Sequence, residues 1–97
     1  MRLTVLEARA VLAEARNDLP GAAELYAASA ERWAEYGYVL EHGEALLGAG
    51  RCRMAQGIDG RTAVEEAREL FASLGAQPLV QEADALLGAE SAAAGEA

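Results

Sequence analysis

The sequence predicts an all-α protein in which antiparallel helical hairpins stack as a short α-solenoid of about five helices. A pattern of apolar and small residues at positions 39–49 recurs forty positions later at 79–89, and a fainter copy lies at 4–13. Helical spacing inside units that recur at such a period is typical of helical-repeat arrays. Alanine is abundant, whereas the chain has only one Trp, three Tyr and one Phe, which favours helices over strands.

The first two helices are predicted from apolar periodicity and from the residues that interrupt it. The first covers about residues 3–16 and ends at a loop of Asn, Asp, Leu, Pro and Gly. The second covers about residues 20–36, with Asp18 or Leu19 near its cap. Gly37 is expected to end it in the left-handed conformation that glycine adopts readily.

Three more helices follow by the same criteria. The third is predicted over about residues 38–56, and a turn at 57–60 follows it, where Asp59 is a candidate cap. The fourth covers about residues 61–74, and a glycine and a proline separate it from the fifth, which covers about 78–90. Loops this short make neighbouring helices antiparallel.

The domain is expected to span residues 1–90. The remaining residues, 91–97, have no large apolar side chain to anchor them and are predicted to be a disordered tail.

Seven residues are predicted to pack the repeats together. They are Leu12, Trp33, Leu47, Gly48, Phe71, Leu87 and Gly88. Gly48 and Gly88 each follow a Leu-Leu pair, and a glycine inside a helix costs about 1 kcal/mol relative to alanine, so recurrence suggests close approach of helix backbones. A general richness in glycine is the alternative explanation. Trp33 and Phe71 are expected to fill the space between successive hairpins.

These positions resemble the tetratricopeptide repeat family. Leu47-Gly48 and Leu87-Gly88 look like its helix A signature, with Leu12-Ala13 as a weaker copy. The helix B positions and terminal proline are matched by Ala67, Phe71 and Pro78, and by Ser29 and Trp33 in the first unit. Tyr36 and Leu74 depart from the family, which prefers a small residue there. The resemblance implies a concave groove lined mainly by the A helices.

A narrower resemblance covers the segment at 67–76 with the leucine pair at 86–87. It is similar to the last repeats of actinobacterial LuxR-type ATP-binding regulators and of multidomain adenylate cyclases. In those proteins such repeats form a sensing or oligomerisation arm. The chain has no GxxxxGK[ST] phosphate loop and no basic recognition helix.

Composition excludes several classes of function. The formal net charge of -8, from 16 acidic and 8 basic residues, argues against a nucleic-acid partner. No apolar run reaches the roughly 20 residues of a membrane span. A single cysteine fits a reducing compartment, so a cytoplasmic location is expected. His42 and Cys52, ten positions apart on one helix, are too distant to act together, so no catalytic, cofactor or metal site is expected.

By analogy with the family, seven residues are candidates for the interaction groove. They are Glu7, Glu14, Asp18, His42, Cys52, Arg53 and Glu82. Small residues between them favour an apolar or basic peptide or helix over an acidic one. The predicted function is a non-catalytic protein-interaction or self-association module, in which uncapped ends would pair copies of the chain. The alternatives are a sensor arm of a larger ATP-dependent regulator or cyclase, and a surface that binds no peptide. A small enzyme or ligand-binding helical bundle is a further alternative, but it would need a buried polar pocket, for which the sequence supplies few convergent polar groups.

Overall fold

The structure is a computed structural model that describes the backbone of residues 5–96 and the side chains of residues 5–89. This part of the chain consists of helices joined by short turns and contains no strand. The five helices are α1 (Val5–Ala15), α2 (Leu19–Tyr36), α3 (Val39–Ala55), α4 (Arg61–Ser73) and α5 (Gln77–Glu96). The predicted starts of the domain at residue 1 and of the first helix at residue 3, and the last residue of the tail, lie outside the described residues.

Consecutive helices pack against one another in chain order. The contacts join α1 to α2, α2 to α3, α3 to α4 and α4 to α5, and a smaller contact joins α3 to α5. An all-α stack of antiparallel helical hairpins is therefore confirmed. It follows from two- to five-residue connections that force each helix to turn back along its predecessor.

The helix ends follow from local chemistry. The side chain of Asp18 accepts a hydrogen bond from the backbone N–H of Gly21 at 3.1 Å and so caps α2. Gly37 ends the same helix with φ of 75°. At α4 the capping position is held by Gly60, and the neighbouring Asp59 accepts from the backbone N–H of Arg61 at 3.0 Å.

The last helix is longer than predicted. It continues to Glu96, beyond the predicted end at residue 90, so the backbone of the expected disordered tail is helical up to that residue. The added segment is rich in alanine, the residue with the highest helix propensity, and a helix needs no apolar anchor to extend by a turn or two.

Three apolar clusters form the core. One lies between α1, α2 and α3 and contains Tyr26 and Cys52, and a second lies between α2 and α3 around Trp33. The third joins α3, α4 and α5 around Phe71, which is completely buried, and includes Leu47 and the partly buried Leu87. Trp33 and Leu47 are 4% and 3% exposed.

Four contacts show how the first hairpin, formed by α1 and α2, corresponds to the second, formed by α3 and α4. They are Glu7–Trp33 and Glu14–Tyr26 in the first hairpin, and Gly43–Phe71 and Gly50–Val64 in the second. On the first helix of each hairpin the matching positions are 36 residues apart, and on the second helix they are 38 apart. In the first hairpin, carboxylates of α1 accept hydrogen bonds from aromatic side chains of α2. In the second hairpin, apolar side chains of α4 pack against glycines of α3.

This register corrects the expectation for Leu12. The sequence pattern aligned the first two units at a separation of 35 residues, one fewer than the contacts give. One residue corresponds to a rotation of about 100° around a helix. In the register that the contacts give, Leu12 corresponds to Gly48 rather than to Leu47. Leu12 is 53% exposed because none of the described helices covers its side of α1, and the buried residue of α1 is Ala10.

The two matched glycines also differ. A Cβ atom at Gly48 would lie 2.8 Å from Cδ1 of the Tyr26 ring, so the absence of a side chain permits that contact. A Cβ atom at Gly88 would meet nothing within 4 Å. The expected close packing does not hold at Gly88, because α5 turns Val80 and Ala83 towards α4 and leaves its opposite face exposed.

Candidate interaction groove

A cavity of about 230 Å³ opens along α3, between α1 on one side and α5 on the other. We call it the A-helix groove. Its lining residues are Glu7 and Val11 of α1, Tyr26 of α2, Glu41, Glu44, Ala45, Leu47 and Arg51 of α3, and Leu79 and Glu82 of α5. Aliphatic side chains and carboxylates thus share one concave surface.

Helical spacing brings the lining residues together. Glu41 and Glu44 are three positions apart on α3, which places them on the same face, and Arg51 lies two turns beyond Glu44. Glu7 and Val11 have the corresponding spacing of four on α1. The stacking of the first, third and fifth helices then closes the sides of the groove.

The groove has an excess of negative charge. Among the side chains of residues 5–89, no cation forms an ion pair with Glu41, Glu44 or Glu82. Partial burial raises the pKa of Glu44, and the neighbouring charges of Glu41, Glu7 and Glu82 raise it further. A positive group placed between these carboxylates would counteract the repulsion among them.

The arginine at the far end of the groove is already neutralised. Glu14 accepts hydrogen bonds from Nε and Nη2 of Arg51, each at 2.8 Å, and from the hydroxyl of Tyr26 at 2.8 Å. The Arg51 hydrogen bonds hold the pKa of Glu14 below its ordinary value, and the pKa of Arg51 is raised. Burial, followed by the hydrogen bond to Glu14, raises the pKa of Tyr26 to about 12.

A second carboxylate ties α1 to α2. Oε1 of Glu7 accepts hydrogen bonds from the hydroxyl of Ser29 at 3.0 Å and from Nε1 of Trp33. Because Glu7 and Glu14 are two turns apart on one helix face, both carboxylates point inward. α1 is therefore held by polar contacts as well as by its alanines.

Two of the predicted groove residues, Glu7 and Glu82, line the groove. Glu14 lies at its end through the contact with Arg51. Cys52 is completely buried in the core, where burial raises the pKa of its thiol.

The remaining three predicted residues make contacts within the helix stack and its turns and do not line the groove. Asp18 caps α2. His42 faces α4, with Nε2 at 3.8 Å from a carboxylate oxygen of Glu66. The backbone carbonyl of Arg53 accepts from two N–H groups of the turn that follows α3.

Four lining residues were not among the groove candidates expected from the sequence: Glu41, Glu44, Arg51 and Leu79. The pair Glu41 and Glu44 was the available signal, since carboxylates three apart on a helix must share a face. Without the register between helices, nothing distinguished this pair from the solvated carboxylates on α4.

A metal site or a membrane span would each require particular residues in the described part of the chain. No set of three or more His, Cys, Asp or Glu side chains there is arranged to hold a metal ion. None of the described helices has the length and apolarity needed to cross a membrane.

The contact between Glu14 and Arg51 can be tested through stability. We expect Glu14→Gln to lower the free energy of unfolding at neutral pH by about 1–2 kcal/mol, because an amide accepts more weakly from a guanidinium. The lower part of the usual range applies since the two side chains are 29% and 37% exposed.

The sign of the pH dependence follows from the lowered pKa of Glu14. The stabilisation that the ionised Glu14 carboxylate provides is complete at pH values above its unfolded-state pKa of 4.5. It is lost as the pH falls through the lower pKa of the folded state. Urea titrations followed by Trp33 fluorescence measure the free energies of unfolding of the wild type and of Glu14→Gln. The difference between these two values should be smaller at about pH 3 than at about pH 7. Glu69→Gln, at an exposed carboxylate of α4, is the control. A difference independent of pH would show that the carboxylate charge is not the source of the stabilisation.

Comparisons with protein-family models, with curated proteins and with solved structures found no match to this chain.

Proposed function

We propose that this chain is a non-catalytic protein-interaction module of tetratricopeptide-like architecture, whose binding surface is the A-helix groove. The observation that carries the proposal is the combination, on one concave face, of apolar lining with Glu41, Glu44 and Glu82, which form no ion pair with any cation of residues 5–89. Such a face suits a segment of another protein that carries both aliphatic and positively charged side chains.

The apolar part of the groove supplies affinity. Leu79 and Val11 remain partly or largely exposed, and an aliphatic side chain placed against them would remove their surface from water. The carboxylates supply orientation and attract a cationic segment from a distance.

The chemistry of the lining side chains favours binding over catalysis. The groove offers carboxylates and an arginine that Glu14 already occupies. Cys52 is buried, and a thiol with a raised pKa is protonated and a poor nucleophile.

The proposal can be tested by site-specific photo-crosslinking in cells. A photoreactive phenylalanine analogue would replace either Val11, which lines the groove, or Leu74, which lies in the turn after α4. Both side chains are 49% exposed, so the two probes sample solvent equally. We expect discrete protein adducts from position 11 and few from position 74. Equal labelling from both positions, or adducts from neither, would reject the groove as the binding surface.

A further inference from the structure

The outer face of α1 carries apolar and basic residues in one stripe. Val5, Arg9 and Leu12 of α1 and Arg16, the first residue after its end, follow one another at intervals of four, three and four positions, which places them on one side of the helix. All four are exposed, with Val5 at 69% and Leu12 at 53%. We call this surface the α1 stripe.

The α1 stripe contains no carboxylate. The two glutamates of α1, Glu7 and Glu14, lie on the opposite side and point towards α2 and α3. Within residues 5–89, neither Arg9 nor Arg16 forms an ion pair. In a chain of net charge -8, a positive apolar helix face is a local reversal of the overall charge.

The A-helix groove has the complementary properties. It combines apolar side chains with Glu41, Glu44 and Glu82, which lack a paired cation in the described part of the chain. The dimensions also agree. The 11 residues of α1 span about 16 Å, and the ten-residue separation between Glu41 and Arg51 on α3 spans about 15 Å.

We propose that the α1 stripe of one copy docks in the A-helix groove of a second copy. Arg9 and Arg16 then lie among Glu41, Glu44 and Glu82, and Leu12 contacts the aliphatic lining. This inference rests on the proposed function, because it names the occupant of the same groove. An apolar helix face laid in a groove, flanked by opposite charges, is a recurrent mode of protein association.

The contact is heterologous, since the stripe and the groove are different surfaces of one molecule. After two copies associate, one stripe and one groove remain free, so the assembly grows beyond a dimer unless it closes into a ring. This distinguishes it from two-fold pairing through one end of the helix stack, which stops at two copies.

The experiment measures the mass of the purified 97-residue chain in solution. Sedimentation equilibrium from about 1 μM to about 1 mM should show an average mass that rises with protein concentration. Salt at about 1 M should weaken the association, because it screens the charge pairs.

Two charge-reversal variants make the test specific. Arg9→Glu/Arg16→Glu reverses the stripe, and Glu41→Lys/Glu44→Lys reverses the groove. Each variant alone should associate at least about tenfold more weakly than the wild type. An equal mixture of the two should regain association, because each stripe then meets a groove of opposite sign. Circular dichroism verifies that both variants remain helical.

Matched controls carry the same kind of charge change elsewhere. Arg32→Glu on α2 and Glu69→Lys on α4 alter exposed residues outside both surfaces and should leave association unchanged. A wild type that remains monomeric overturns the inference, as does equal weakening by the controls or failure of the mixture to associate.

The same measurements separate this inference from the proposed function. If the chain is monomeric but position 11 crosslinks to a different protein, the interaction module stands and the second copy is excluded as occupant. If position 11 gives no adduct and the chain is monomeric, both proposals fail. Position-11 adducts of twice the mass of the chain would support both.

Discussion

Phe71→Ala is expected to lower the free energy of unfolding by about 3–5 kcal/mol. The ring is completely buried and lies against the backbone of Gly43, where a Cβ atom would be only 2.7 Å from Cε1. Because Gly43 has no side chain that could move into the vacated space, the cavity on that side can shrink only if α3 and α4 approach each other. The cost should therefore lie towards the upper end of this range.

The consequence for a chain of this size is large. Domains of similar length are stable by only about 5–15 kcal/mol, so Phe71→Ala removes a substantial fraction of the total. Urea denaturation followed by far-ultraviolet circular dichroism measures the change. Leu74→Ala is the control, since that side chain is 49% exposed and its loss should cost less than about 1 kcal/mol. A loss below about 1 kcal/mol for Phe71→Ala would mean that α3 and α4 do not enclose the ring.

Gly48→Ala and Gly88→Ala are expected to change stability in opposite directions. At position 48 the new methyl group would overlap the face of the Tyr26 ring, whose hydroxyl is held by Glu14, so the ring cannot move without loss of that bond. Overpacking of this kind costs about 1–3 kcal/mol, which exceeds the gain of up to about 1 kcal/mol from replacing a helical glycine. At position 88 the methyl group meets open space, so only the gain of about 0.5–1 kcal/mol remains.

The two glycine variants form a matched pair because each glycine follows two leucines in an equivalent sequence. The gain from replacing a helical glycine is common to both variants, so the difference between their free energies of unfolding, measured in parallel urea titrations, should equal the overpacking cost of about 1–3 kcal/mol. If both substitutions stabilise the protein, close packing of α2 on α3 at Gly48 is refuted. If both destabilise it, the exposed face of α5 is covered in solution.

The extent to which the sequence predicted the fold differs between levels of structure. The five helices and their order were predicted, and α2 was predicted to within one residue at its start. That accuracy has a local cause, since the carboxylate of Asp18 and the left-handed Gly37 act on the adjacent backbone. The end of α5 was not predicted, because alanine gives a high helix propensity but no stop signal.

The candidate groove was predicted only in part. Glu7 and Glu82 were identified from the expected concave side, whereas Glu41 and Glu44 were missed. A carboxylate that lines a groove has the same sequence signature as one on a solvated helix face. Only the neighbouring helices distinguish them.

The amino-acid sequence by itself determined that this protein is a row of helices with alternating patterns and short turns, because helix formation and termination depend on residues within a turn or two. Only the tertiary structure decided the register between the first two hairpins, which of the matched glycines is packed, and which carboxylates are neutralised. Glu14 is paired with Arg51 across 37 positions of the chain, whereas Glu44 is left among other carboxylates. Such outcomes depend on the fit of whole helix faces, to which residues far apart in sequence contribute together.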